Sequence, residues 1–405
     1  MIGPAGACGA RAHGGGSRPV VVAIMGHYLP GWKGGGHIIT GALAIDQLGG
    51  EFDFKVFCLD HDLAESTPYP GVKSGVWQAV GKAEVCYLTE ARLDTWWRQA
   101  AARRLRYDLL WIHGLFKTAT VTTLVYKRLG GLPPAPAVIV PHGELSAGAL
   151  STKPRKKAAY LRLAQLSGLY RGFWWQTSSA YEAREVSRVF AGVPDDRIRI
   201  VRNPAVPAMA AAGRRPKKPG TLRLIFLSRI SRKKNLDVAL RLLARVAGDI
   251  EFDVFGPMED AAYWAECQST IARLPAGTRV IYRGPLKPAA VIPTLASYHA
   301  LFLPSRGENF GYVILEALQA GCPPLISDAT PWKDLERTGA GWDLPLSDPD
   351  RFVAALERLL AMDTAEFARW SDAAANLGRT VASAPGPADD LRALFRDALR
   401  PGPAS

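Results

Sequence analysis

The 405-residue sequence has no apolar run approaching the roughly 18 to 20 residues needed to span a bilayer, so no transmembrane helix is expected. Residues 1–18 are rich in Gly, Ala and Arg and carry no hydrophobic segment of the secretory type. They read as a disordered tail. Cysteine is sparse: Cys8, Cys58, Cys86, Cys267 and Cys322 are odd in number and far apart, which excludes a disulfide framework or a closely spaced zinc site. A reducing, cytoplasmic setting is expected. Acidic residues are also in short supply, 37 against 50 Lys and Arg, and the formal net charge of +13 calls for an anionic partner. Nucleic acid, an anionic lipid surface and a phosphorylated substrate all satisfy that charge.

With 48% hydrophobic residues, a chain of this length can bury a sizeable core, and the length favours two domains. The run Pro19 to Met25 (PVVVAIM) is short and β-branched. A glycine-rich loop from Gly31 to Gly36 follows it, then an apolar-periodic stretch from Ile38 to Leu48: strand, loop, helix. FKVFCL, DLLWIHG, AVIVPHG and GFWWQTS repeat the pattern of a buried strand, with helical stretches between several of them. Residues 205–220 (AVPAMAAAGRRPKKPG) have no periodicity and read as a linker. The alternation then restarts with LRLIFLS, IEFDVFG, TRVIYRG, HALFLPS and PPLISD. The expected organisation is α/β: residues 19–204 and 221–385 form two doubly wound, Rossmann-like domains. Residues 386–405 form a terminal helix that either ends the second domain or crosses back to the first.

Two segments carry chemistry. In LFLPSRGENFGYVILEALQA a buried strand ends in a glycine-containing loop before a helix, and Glu308 and Glu316 are separated by seven residues. Were both helical, they would stand about 12 Å apart along the axis. That is too far for the paired carboxylates of a glycosidase, which work at roughly 5 to 9.5 Å, and suits two ends of an extended ligand such as a ribose and a sugar. Asn309, Phe310 and Gly311 bring backbone N–H groups to the helix start. In LIFLSRISRKKNLDVALRLL a strand ends near Ser228, and Asn235 reads as the N-cap of a helix that aligns Leu236, Leu240 and Leu243. Arg229 and Lys234 flank that turn at the carboxyl end of a strand, where open α/β sheets bind ligands.

The combination of Arg229 and Lys234 with ENFGYVILE resembles the donor site of family 4 retaining glycosyltransferases, which have the GT-B fold. HYLPGWKGGGHI, VPHGELS, TSSAYE, RNP, FGPMEDAAYW and SDATPWKDL extend the resemblance over most of residues 19 to 345. It implies two Rossmann-like domains facing each other across a cleft. Arg229 and Lys234 would bind the donor diphosphate and Glu316 the ribose hydroxyls. Glu308, with the backbone of Asn309, Phe310 and Gly311, would hold the transferred sugar. Gly35 and Gly36 would approach the diphosphate from the first domain, and His142 would stand beside the sugar. His113 is the acceptor-side candidate, while His27 and His37 flank the glycine loop.

The function this implies is metal-independent, retaining transfer from a nucleoside diphosphate sugar, a uridine diphosphate sugar ahead of a guanosine one, to a glycan or lipid-linked acceptor in surface polysaccharide synthesis. The nucleotide sugar is a co-substrate, and no cofactor is expected. Asp60 and Asp62 (DHD) lie far in sequence from the donor motifs, so no metal is assigned to them. The basic stretch Lys153 to Lys157 and a helix containing Trp96, Trp97, Arg103, Arg104 and Arg106 suit peripheral contact with an anionic membrane. No nucleic-acid motif accompanies the charge. A sugar-nucleotide epimerase of the same fold and a non-enzymatic basic protein binding glycan or nucleic acid are the alternatives.

Overall fold

The computed structural model describes residues 18–99, 102, 105–151, 153–204, 216–384 and 386–400. All of the expected tail at 1–18 except Arg18, and most of the expected linker at 205–220 (205–215), lie outside the described residues, as do Arg103 and Arg104.

Two sheets organise the chain. The first contains β1 (Val20–Ile24), β2 (Asp53–Leu59), β3 (Trp77–Val80), β4 (Ala83–Leu88), β5 (Leu109–His113), β6 (Ala137–Val140), β7 (Trp174–Thr177) and β8 (Ile198–Ile200), in the order β3-β4-β2-β1-β5-β6-β7-β8. The second contains β9 (Thr221–Leu227), β10 (Asp249–Phe255), β11 (Thr278–Gly284), β12 (Ala300–Leu303), β13 (Pro324–Ser327) and β14 (Trp342–Leu344), in the order β11-β10-β9-β12-β13-β14. Neighbours are parallel, apart from the hairpin pair β3 and β4. Parallel strands need crossovers, and the crossover helices cover both faces. The central strands are therefore continuous apolar runs: Leu109 to His113 and Ala300 to Leu303 are buried at every position.

Each sheet carries its own core. In the second, the helix Thr364–Ala382 lies so close to the helix Tyr312–Gln319 that a Cβ on Gly378 would sit 2.5 Å from the Gln319 backbone nitrogen. The last helix, Pro387–Leu399, buries Leu391, Leu394 and Phe395 in the core of the first sheet. The Phe395 ring lies 5.5 Å from both Phe52 and Trp111, and Arg392 and Arg396 pair with Glu51. Among the described residues, no helix is long and apolar enough to cross a membrane.

Three sequence readings change. Asn235 stands at the helix start in the left-handed region (φ 63°), and its side chain does not cap; its Oδ1 accepts from Arg306 Nε at 2.9 Å. Trp96 lies in the core, only 1% exposed, with its indole N–H donating to Thr123, and Trp97 stacks on Tyr126; the segment is a short 3-10 turn (Trp96–Arg98) rather than a membrane-facing helix. Glu308 precedes the helix that contains Glu316, so a common helical axis does not relate the two carboxylates.

Candidate active site between the two sheets

A cavity of about 300 Å³ lies between the carboxyl ends of the two sheets. From the first sheet its wall includes Gly35, Gly36, His37 and His142; from the second come Arg229, Lys234, Glu308, Asn309, Phe310, Gly311 and Glu316. Residues read from the sequence as one ligand site thus face one space, although the chain separates them by hundreds of positions.

The glycine loop follows β1. Gly35 has φ 77° and ψ −141°, a conformation open to glycine, and immediately precedes the helix Gly36–Leu48. A side chain on Gly36 would meet the Tyr312 ring at 2.8 Å, so its absence lets the second domain close against the loop. Tyr312 also donates to the Pro204 carbonyl and lies 3.0 Å from Thr40 Oγ1, joining the two domains and the end of β8's loop. The loop is held from behind by Asp62, whose carboxylate accepts from the backbone N–H groups of Trp32 (2.9 Å) and Lys33 (3.1 Å). The DHD aspartate is spent on loop geometry, a role that sequence spacing did not reveal.

On the opposite wall, Lys234 Nζ donates to both oxygens of Glu308, at 2.7 and 2.8 Å, and both side chains are largely buried. Burial raises the Glu308 pKa, but Lys234, and after it Lys233, overcome that and hold the carboxyl below its ordinary value. Two ammonium protons are taken by Glu308 and one remains for a ligand oxygen. Arg229 lines the cavity with its guanidinium on Glu259 at 2.9 Å. Glu316 has no such cation: burial alone lifts its carboxyl to about 7.

His142 lies in the left-handed region at φ 53°, and its Nε2 is 2.8 Å from His113 Nδ1. His27, His37, His142 and His113 form a file with successive ring centroids 6.1, 6.0 and 5.0 Å apart. Burial, with a secondary contribution from Lys117, lowers His142 to about 3. It is a neutral imidazole at physiological pH. His113 is 3% exposed and stacks behind His142, so it does not face an acceptor; being the last residue of a central strand, it is covered on both faces. His37, read from the sequence only as a flanking residue, does line the cavity.

Two further residues were missed. Buried Glu182 accepts from Gly143 N (2.6 Å), Ser178 N (2.7 Å) and Ser178 Oγ (2.9 Å), which fixes the turn carrying His142. Ser178 Oγ also lies 2.8 Å from Asn309 Oδ1 across the cleft. The TSSAYE segment held that signal, a serine N-cap at Ser179 with a glutamate three residues on, but capping boxes are common at helix starts.

Among the described residues, no group of three or more His, Cys, Asp or Glu is placed to hold a metal ion.

Two doubly wound domains closing on a cleft, with Arg229 and Lys234 after one strand end and Glu308 and Glu316 before and within the helix Tyr312–Gln319, define the GT-B fold. Residues 212–377 match the family Glycosyl transferases group 1. Similar solved structures include sucrose-phosphate synthase from Thermosynechococcus elongatus (14% identity, TM-score 0.70, covering 94% of this chain and 99% of that one). Anabaena HepE in complex with UDP and glucose is similar at 15% identity and TM-score 0.68 (94% and 100% covered). WaaG, a glycosyltransferase involved in lipopolysaccharide biosynthesis, is similar at 14% identity and TM-score 0.64 (93% and 99% covered). No curated protein sequence matches the chain.

Proposed function

We propose that the enzyme transfers a hexose-type residue, with retention and without a metal, from a nucleoside diphosphate sugar to a hydroxyl of a glycan or lipid-linked acceptor. The observation that carries this reading is the meeting in one cavity of the Lys234–Glu308 pair, Glu316 and the helix start at Gly35 and Gly36. Arg229, the free proton of Lys234 and the N–H groups of the Gly36 helix receive the diphosphate. A unit charge pair at about 4 Å is worth about 4 kcal/mol at an effective dielectric near 20, enough for two cations to stabilise the leaving group. Glu316 receives the ribose hydroxyls, and Glu308 with the Asn309 to Gly311 backbone holds the sugar, with the neutral His142 as hydrogen-bonding partner. No enzymic nucleophile is assigned. The acceptor attacks from the face of the departing phosphate, which takes its proton, so catalysis is positioning and charge stabilisation.

A uridine nucleotide is favoured: HepE is described with UDP and with UDP-glucose, and a trehalose-phosphate synthase similar at TM-score 0.68 is described as UDP-forming. The lipopolysaccharide enzymes WaaG and WaaB support a surface-glycan role. Peripheral docking on an anionic membrane is supported by the helix Pro154–Leu166, where Leu163 and Leu166 are 67% and 82% exposed beside the exposed Arg155, Lys156 and Arg162. Leu129, 78% exposed, extends the patch, because Arg128 ties its helix to Gly168 and Leu169 just beyond Leu166.

The test is a thermal-shift panel of UDP-, GDP- and ADP-sugars against wild type, Lys234→Ala and Arg229→Ala, with EDTA present. Stabilisation by one nucleotide class, reduced in both variants, is expected. No shift with any nucleotide would sink the donor-site assignment, and sugar conversion without an acceptor would favour the epimerase.

A further inference from the structure

A second cavity, of about 430 Å³, shares Lys233, Glu308 and Asn309 with the first. The first domain contributes the Gly143–Gly148 turn and the start of the helix Ala180–Val189; the second contributes the loop from Arg306 and the segment from Asp328 to Lys333. It therefore meets the place assigned to the transferred sugar without overlapping the glycine loop, Arg229 or Glu316.

Its polar groups are unevenly matched. Arg184, Lys233 and Arg306 make no ion pair among the described residues; Arg306 spends only its Nε, on Asn235. Lys233 is largely buried beside Lys234, and burial lowers its pKa before that like charge adds to the effect. Lys333 and Asp328 share one wall and offset each other. Against the three cations stands Glu185, 5% exposed, whose Oε1 is buried without a hydrogen-bond partner. Buried polar atoms are almost always satisfied, so an orphaned carboxylate oxygen on a cavity wall marks where a ligand hydroxyl binds. Lys233 is offset by Glu308 and Glu185, but Arg184 and Arg306, which make no ion pair among the described residues, stand around the same space and mark where an anion binds.

We propose that this cavity seats the acceptor, and that the acceptor is a sugar unit bearing an anionic substituent, a phosphate or carboxylate, gripped by Arg184 and Arg306 with Glu185 receiving one of its hydroxyls. The proposal rests on the glycosyltransferase reading above. In the reaction the bond from the donor's anomeric carbon to the β-phosphate oxygen breaks, and that carbon bonds to the acceptor hydroxyl oxygen. The hydroxyl proton passes to the departing phosphate oxygen, and nucleoside diphosphate leaves. Lys233, shared by both cavities, lies where the acceptor's anion and the donor sugar come closest.

Calorimetric titration in saturating nucleoside diphosphate, with glucose, glucose 6-phosphate and glucuronate as probes, tests this on wild type, Arg184→Gln and Arg306→Gln. At least one charged probe is expected to bind about tenfold or more tightly than glucose, with that preference lost in both variants while the nucleotide thermal shift is kept. Glucose 6-phosphate ahead of glucuronate assigns a phosphate, and the reverse assigns a carboxylate. Equal affinity for all three probes, no binding of either charged probe, or a preference that survives both substitutions overturns the proposal. Absence of the nucleotide shift in wild type instead overturns the donor-site reading beneath it.

Discussion

Lys234 and Glu308, 74 residues apart, meet as a buried ion pair in which one ammonium engages both carboxylate oxygens. The pair has two functions that substitution separates. Lys234→Ala removes a phosphate contact and should cost at least about tenfold in activity, about 1.4 kcal/mol. It also leaves Glu308 buried without its partner, so a loss of about 3 kcal/mol of stability is expected in urea denaturation. Lys234→Met combined with Glu308→Gln should recover most of that stability and none of the activity. A double variant no more stable than Lys234→Ala would show that the pair is not the origin of the loss.

Glu316 supplies a pH signature. With its carboxyl at about 7, its ionised fraction falls from about 90% at pH 8 to about 10% at pH 6. Donor KM should rise several-fold over that interval, and Glu316→Gln should flatten the profile at a uniformly high KM. The folded carboxyl lies above its ordinary 4.5, so the native state holds the proton more tightly and stability declines as pH rises from 4.5 through 7. Glu316→Gln should therefore melt above wild type at pH 8 and match it at pH 4.

His113 acts through His142. In His113→Phe, His142 Nε2 loses its partner; kcat should fall about tenfold with donor KM unchanged, the signature of an interaction needed in the transition state. Asn at 113 places an amide near the lost Nδ1 and should restore part of the rate. Wild-type kcat should show no inflection near 6.5, because burial keeps both imidazoles neutral. A fall in donor affinity equal to the fall in kcat would argue against a positioning role.

Glu182 accepts one hydrogen bond from Gly143 N and two from Ser178, and so ties the Gly143 turn to the start of its own helix. Glu182→Ala strands the backbone N–H groups of Gly143 and Ser178, while Ser178 Oγ keeps Asn309 Oδ1 as acceptor, and a loss of about 3 kcal/mol is expected in chemical denaturation. An unchanged midpoint would show that solvent replaces the carboxylate at no cost.

Leu163→Glu with Leu166→Glu should reduce sedimentation with vesicles containing anionic lipid by at least about tenfold and leave the nucleotide thermal shift intact. Unchanged sedimentation would remove this helix from the membrane contact.

Much of the architecture was legible along the chain. PVVVAIM, DLLWIHG, AVIVPHG, LRLIFLS and HALFLPS all appear as strands because burial on both faces of a parallel sheet demands uninterrupted apolar runs. β8 and β14, three residues each, are too short to leave a pattern, and the β3–β4 hairpin alternates weakly at a sheet edge. Glu308, Glu316, Arg229 and Lys234 were legible as residues of one cavity wall because each lies at or after the carboxyl end of a strand, where such sheets open. Trp96 was misread because a tryptophan beside arginines resembles a membrane face until the ring is seen in the core.

The sequence by itself determined the period of each element, the strand ends at which the chemistry collects, and the glycines that let backbone approach backbone. These depend on neighbours within a few residues. Only the tertiary structure decided that Lys234 answers Glu308, that Asp62 holds the glycine loop, that His113 stands behind His142, and that a second cavity adjoins the first. Each joins residues from different crossovers or different sheets, and the free energy of such a contact depends on the burial and geometry that folding creates.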